Sequence, residues 1–169
     1  MAILNPDHLL DQAEQLTLAL AAGPRRQADL RRAVSTAYYA VFHFILTSAA
    51  DEIVGITNRR TSQYVLIYRS VDHRAPRELC EQVKKPQPIA KFAKYAPSNG
   101  FGSKIQTFAS ALVELQEKRH QADYDPSHRV KMDEARLAIA NARSAIIRFK
   151  RASRQRRKAF LILLMFTPR

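Results

Sequence analysis

With 169 residues, the chain is long enough for one domain with a buried core. Its 28 Lys and Arg against 15 Asp and Glu leave a formal charge of +13 and a pI near 10.4, which points to polyanionic partners, nucleic acid first and anionic membrane second. Only four glycines, 46% apolar residues and the single cysteine, Cys80, exclude a disordered or fibrous chain and an intramolecular disulfide.

The lone thiol fits a reducing cytosol. The N-terminal residues lack the basic stretch and long apolar run of a signal peptide. The one pure apolar run, 160–166, is far short of a membrane span. The expected location is cytoplasmic, with no membrane span.

The first helix opens at Asn5, which can cap it, with Pro6 in the first turn and Asp7 at the positive end of the dipole. Leu9, Ala13, Leu16 and Leu20 form its apolar stripe, and Gly23-Pro24 ends it. The second helix runs to about residue 50 and is apolar nearly all round from 37 to 46, so it belongs at the centre of a bundle. Ala33, Ala37 and Ala40 would admit a close neighbour. Arg32, Thr36, Tyr39 and His43 recur on one side of it as a polar seam.

Residues 51–60 read as a loop around Gly55 and Thr57-Asn58. A third helix is expected over 61–73 and a short one over 76–84. The segment 85–102, with Pro86, Pro88, Pro97, Gly100 and Gly102, reads mostly as a loop. It is long for a compact domain, which makes it a candidate mobile or functional segment.

The fourth helix, about 103–123, carries Ile105, Phe108, Leu112 and Leu115 on one stripe, and the next position on that stripe is Arg119. A permanent cation there has a ligand, a carboxylate partner or a route to solvent. Snorkelling at the helix end and an ion pair with Asp123 are the structural readings. Asp125 as cap and Pro126 in the first turn would start a fifth helix, with Ala135, Ala138, Ala142, Ala145 or Ile146, and Phe149 on its core side.

Continued past Lys158, that helix would be long, basic and projecting. From Arg148 to Lys158 there are seven basic residues and no acidic one. Arg148, Arg151, Arg154 and Arg157, with Arg32, are the candidate nucleic-acid-binding residues; a solvated helix face is the alternative. Charge alone does not separate RNA from DNA. The expected fold is an all-α, up-and-down bundle of about five helices over 1–150. Residues 151–169 form a basic and then apolar extension whose greasy strip either docks on the bundle, in a dimer or under a partner, or is poorly ordered.

The sequence has no Gly-rich phosphate loop, no Cys/His cluster at zinc spacing, no His-Glu-x-x-His and no pair of Glu-x-x-His helices. Neither metal nor cofactor is expected. One chemistry requires none of these: RNA is cut by attack of its own 2′-hydroxyl on the adjacent phosphate. The protein then has to move a proton and stabilise charge building on phosphorus. Arginine suits the second task through its planar fork, and histidine the first through a pKa near neutrality.

The second-helix segment Arg31-Arg32-Ala33-Val34-Ser35-Thr36-Ala37-Tyr38-Tyr39-Ala40-Val41-Phe42-His43, together with the later Arg119-His120-Gln121-Ala122-Asp123-Tyr124-Asp125, resembles HEPN-domain proteins. The nearer likeness is to a small prokaryotic branch with an AYYAVFH helix and an R-x-x-A-D-Y ending, and it spans roughly residues 5–150. The resemblance implies an all-α bundle that dimerises. It also implies a metal-independent endoribonuclease site of an Arg followed four to six residues later by a His, often composite across the dimer.

Such proteins frequently act as toxins with a nucleotidyltransferase-like antitoxin; others are non-catalytic nucleotide-binding modules. Carried onto this chain, Arg119 is the motif arginine, and Tyr124 stands where the histidine would be. The resemblance thus implies RNA as the target and a homodimer. Arg119 would sit on the scissile phosphate, Tyr124 and Asp123 would orient it or the attacking group, and His43 is a candidate base on the neighbouring helix. The other reading is a non-catalytic module that binds a nucleotide or partners a nucleotidyltransferase-like protein.

Overall fold

The computed structural model describes residues 4–18 and 26–168, and among these there are helices and connecting turns but no strand. Asn5 caps α1 (Pro6–Thr17), its side chain accepting from the Asp7 amide at 3.0 Å. Leu20 and Gly23-Pro24, expected to finish that helix, lie outside the described residues. The chain continues as α2 (Gln27–Ile53), α3 (Ser62–Arg69), α4 (Arg74–Val83), the four-residue α5 (Ala90–Ala93), α6 (Gly102–Tyr124), α7 (Met132–Lys150) and α8 (Arg154–Met165).

The all-α expectation holds. Eight helices are described rather than about five, because the short helix expected over 76–84 is present as α4, the expected loop 85–102 holds α5, and the expected last helix breaks in two.

The central helix is α2, packed against α1, α3, α6, α7 and α8. Its length and composition alone would let it cross a membrane, yet 78% of its most apolar window is buried among the other helices. The chemistry that makes it apolar all round is that of a core helix. Ala33, Ala37 and Ala40 are fully buried, which lets the neighbouring backbones approach.

The α6 helix runs antiparallel to α2: Arg31 reaches Ala122, Tyr39 meets Arg119, and Phe44 packs on Phe108. The α7 helix lies parallel to α2, tied by Gln27 to Val130 at one end and by Phe44 on Phe149 at the other. Its core side is the one expected, with Ala135, Ala138, Ala142, Ala145, Ile146 and Phe149 all buried.

Two helix boundaries depart from the sequence reading, for local reasons. Asp125 does not cap a helix. Its carboxylate accepts from Ser127, amide at 2.8 Å and hydroxyl at 2.6 Å, making a turn. The segment 125–131 is instead sewn to α2 by Arg31 and Gln27, and α7 begins only at Met132.

Nor does the last helix project as one long rod. It stops at Lys150, Ser153 caps a new helix by accepting from the Arg156 amide, and α8 folds back onto the bundle. Arg157 donates to the Lys150 carbonyl at 2.7 Å and Lys104 to the Arg151 carbonyl at 3.0 Å, so cations fill the C-terminal end of α7. The turn brings Phe160 into edge contact with Phe101, Phe108 and Phe149. Phe160, Leu161, Leu163 and Leu164 of the apolar run are buried by this docking, whereas Phe166 is exposed. The 85–102 connection is anchored by the buried Phe92 of α5.

Candidate functional site around Arg119

The apolar stripe of α6 behaves as its spacing requires, with Ile105, Phe108, Leu112 and Leu115 at 0–1% exposure. Arg119 ends it with a side chain only 17% exposed. Its Nε lies 2.7 Å from Oδ2 of Asp123, one turn on, but the N–H does not point at that oxygen, so the contact is a charge pair rather than an aligned hydrogen bond. The guanidinium also donates to the Tyr39 hydroxyl at 2.8 Å and, more loosely at 3.5 Å, to that of Tyr124.

Three phenol rings surround it, at 5.3 Å for Tyr124, 5.4 Å for Tyr39 and 6.0 Å for Tyr38. Burial works against its charge, but the hydrogen bond it donates to Tyr39 and the charge of Asp123 outweigh that and hold its pKa above the ordinary value. The structural reading of an ion pair with Asp123 is therefore realised, and the arginine remains at the edge of solvent.

Asp123 is fixed from a second side, since the Ser35 hydroxyl donates to Oδ1. Tyr124 is 62% exposed, with His120 packed against its ring at 5.1 Å. The whole corner is held by Arg31, whose guanidinium donates to the carbonyls of Ala122 at 3.1 Å, Asp125 at 2.8 Å and, close by, His128. The neighbouring Arg32 is exposed at the same end of the bundle and has no ion pair among the described residues.

The polar seam of α2 is real but wider than its spacing indicated. Thr36 is buried, while Ser35, Tyr38, Tyr39 and His43 make the contacts. Nδ1 of His43 sits 2.6 Å from the Tyr68 hydroxyl of α3, and its ring stacks over Tyr39 with centroids 6.2 Å apart.

A second imidazole, which no local motif marked, arrives from the turn before α4. His73 packs against Phe42 with ring centroids 4.1 Å apart and planes inclined by 31°, and lies 6.0 Å from the Tyr39 ring. Its Nδ1 is 2.8 Å from the Tyr38 hydroxyl. Gln116 of α6 donates to its backbone carbonyl at 2.8 Å. Burial lowers the pKa of His43, helped by His73. Burial also lowers that of His73, helped by Arg119 and opposed by Asp72. Burial pushes the phenols of Tyr38 and Tyr68 upward, so they stay protonated. The chain thus gathers one fixed cation, protonated phenols and two imidazoles biased toward neutrality on the side of α2 and α6 that faces α3 and α4.

The candidate backbone-binding arginines are elsewhere. Arg148 and Arg151 line a cavity of about 420 Å³ between α6 and α7, with Lys104, Arg143 and the half-exposed Ile147. Lys104 precedes Arg119 by about 22 Å of helix axis. Arg154 and Arg157 line a separate cavity of about 300 Å³ with Asp51, Glu52 and Lys150. Arg157 is occupied by the Lys150 carbonyl, while Arg148, Arg151 and Arg154 are exposed.

The basic run is therefore split between two surfaces, neither of which reaches Arg119. Among the described residues no three of His, Cys, Asp and Glu are grouped to hold a metal ion. Cys80 is fully buried, and burial pushes its thiol pKa strongly upward. Comparison with known protein families, curated proteins and solved structures gives no match to this chain.

Proposed function

We propose that the protein is an RNA-targeting, HEPN-like helical domain that cuts RNA without a metal, as the toxin half of a toxin–antitoxin module. The observation that carries the reading is Arg119, set among the hydroxyls of Tyr39 and Tyr124 and near two imidazoles of lowered pKa. In this reading the guanidinium takes a phosphate oxygen through its fork, exchanging part of its contact with Asp123 for the ligand. Asp123 and Tyr124 orient it. An imidazole, His43 or His73, takes the proton of the attacking 2′-hydroxyl. Arg32, Arg148, Arg151 and Arg154 attract and hold the backbone, consistent with the +13 charge.

The up-and-down arrangement of about five helices belongs to the same reading, with α2, α6 and α7 as its longest members. So do a homodimer, a nucleotidyltransferase-like antitoxin and a cytoplasmic location. The test is purified protein with single-stranded RNA in EDTA. Wild type cleaves and Arg119→Ala does not; equal behaviour of the two removes the catalytic reading.

A second reading is a non-catalytic module that binds a nucleotide or pairs with a nucleotidyltransferase-like protein. What favours it is the 17% exposure of an Arg119 side chain already paired with Asp123, and Tyr124 in place of a histidine. Its test is co-elution with the product of a neighbouring gene, retained by Arg119→Ala.

A further inference from the structure

The motif helix lacks a histidine where Tyr124 stands, yet the folded chain places one, from a different element, against Tyr38 and Tyr39, two of the phenols around Arg119. We propose that His73 is the general base of this site, receiving the 2′-hydroxyl proton on Nε2 in the role that the motif position Tyr124 cannot fill. The inference rests on the reading of Arg119 as a phosphate ligand.

Geometry selects His73 over His43. The Tyr38 hydroxyl that engages its Nδ1 belongs to a ring lying 6.0 Å from the Arg119 guanidinium. Both imidazoles lie about as near the Tyr39 ring, at 6.0 Å for His73 and 6.2 Å for His43, but the charge of Arg119 acts on His73. Phe42, packed at 4.1 Å, fixes the ring plane. His43 is tied instead to Tyr68 on α3, one helical turn beyond Tyr39.

Tyr38 occupies Nδ1 and leaves Nε2 as the working nitrogen, since the partner of one ring nitrogen sets the role of the other. A phenol both accepts and donates, so the contact survives when His73 gains its proton. The groups facing His73 are Tyr38, Tyr39 and His43 of α2, Asp72 beside it and Arg119 of α6. Of these, burial and Arg119 keep the imidazole in its basic form, against Asp72.

The step balances without any co-reactant. Nε2 takes the proton, the 2′-oxygen bonds to phosphorus, and the bond from phosphorus to the 5′-oxygen breaks. Tyr39, whose oxygen accepts from Arg119, gives its own proton to that leaving oxygen. The products are a 2′,3′-cyclic phosphate and a 5′-hydroxyl, and the proton on His73 returns to Tyr39 through solvent.

The experiment compares wild type, His73→Gln, His73→Ala and Arg119→Ala on single-stranded RNA in EDTA, with circular dichroism to confirm folding. His73→Gln loses cleavage by about 100-fold or more. Added imidazole restores part of the rate of His73→Ala and none of that of Arg119→Ala. An uncleavable 2′-deoxy oligonucleotide gives a readout independent of turnover: it shifts the ¹⁵Nε2 resonance of His73 in wild type and not in Arg119→Ala. If His73→Gln cleaves within threefold of wild type while Arg119→Ala is dead, or if the Nε2 resonance does not move, His73 is not the base, although the Arg119 reading stands. If wild type does not cleave, or Arg119→Ala cleaves normally, the catalytic reading itself fails and His73 falls with it.

Discussion

Arg31 is the residue on which the shape of the candidate site depends, and Arg31→Ala gives a magnitude that follows from its contacts. Its guanidinium bridges α2 to the corner after the motif, donating to three close carbonyls, those of Ala122, Asp125 and His128, and more loosely to that of Pro126 at 3.5 Å. These carbonyls belong to the end of a helix and a turn, where among the described residues only that of Asp125 has a backbone donor outside the helix, the His128 amide at 3.4 Å. A hydrogen bond with one charged partner contributes about 1.5–3 kcal/mol, and neighbouring bonds to one group add less than their sum. With solvent reaching part of the corner, the expected loss is about 3 kcal/mol.

For a chain of this size that lowers the melting temperature by about 6–12 °C, at about 2–4 °C per kcal/mol. Arg31→Lys, which reaches at most one carbonyl from a single ammonium, recovers at most a third of the loss. Urea titration followed by circular dichroism reads the difference, with the slope of free energy against urea unchanged. A loss under about 0.5 kcal/mol for Arg31→Ala, or full recovery with lysine, refutes the claim that the fork holds the corner.

The docking of α8 predicts that Phe160→Ala, which empties a fully buried site between Phe108 and Phe149, costs about 3–5 kcal/mol, whereas a cost below about 1 kcal/mol means that α8 is not part of the core. His43 and His73 both have folded pKa values below their ordinary 6.5, so the unfolded chain binds more protons as pH falls. Their contribution is complete above pH 6.5 and is lost as pH drops through 6.5 toward the lowered folded values. Urea midpoints at pH 7.5 and 5.5 fall for wild type and much less for the His43→Gln/His73→Gln double variant; identical pH dependence contradicts the shifts. For backbone binding, the Arg148→Ala/Arg151→Ala variant reduces the slope of log affinity for single-stranded RNA against log salt by about 1.4, two contacts at about 0.7 each, and an unchanged slope removes that cavity from the RNA path.

The helical class, the central position of α2 and the core face of α7 were legible because each rests on periodicity within one helix, as Ala135 to Phe149 show. Arg119 was legible for the same reason, as a cation interrupting a stripe. What the sequence concealed depends on distant partners. Asp125 and Pro126 look like a helix start, but three carbonyls of that corner find a better donor in Arg31, on another helix. The basic run looks like one continuous surface, yet Ser153 and the pull of Phe160 into an aromatic cluster fold it into two. His73 has no neighbouring motif to mark it. It reaches Tyr38 across 35 positions of chain, through a turn whose placement is decided by how α3 and α4 pack. Arg31 lies in the motif, but nothing in the sequence separates its inward role from the exposed role of Arg32 next to it.

The central claim is that the Arg119 fork holds the scissile phosphate of RNA, and charge-preserving substitution tests it most directly. Arg119→Lys keeps the cation and removes the planar pair of donors. End-group analysis of RNA incubated in EDTA with wild type and Arg119→Lys gives the answer. The account predicts 2′,3′-cyclic phosphate ends from wild type and at least a tenfold slower appearance of them from the lysine variant. Cyclic phosphate ends appearing at the same rate from both proteins, or from neither, contradict it.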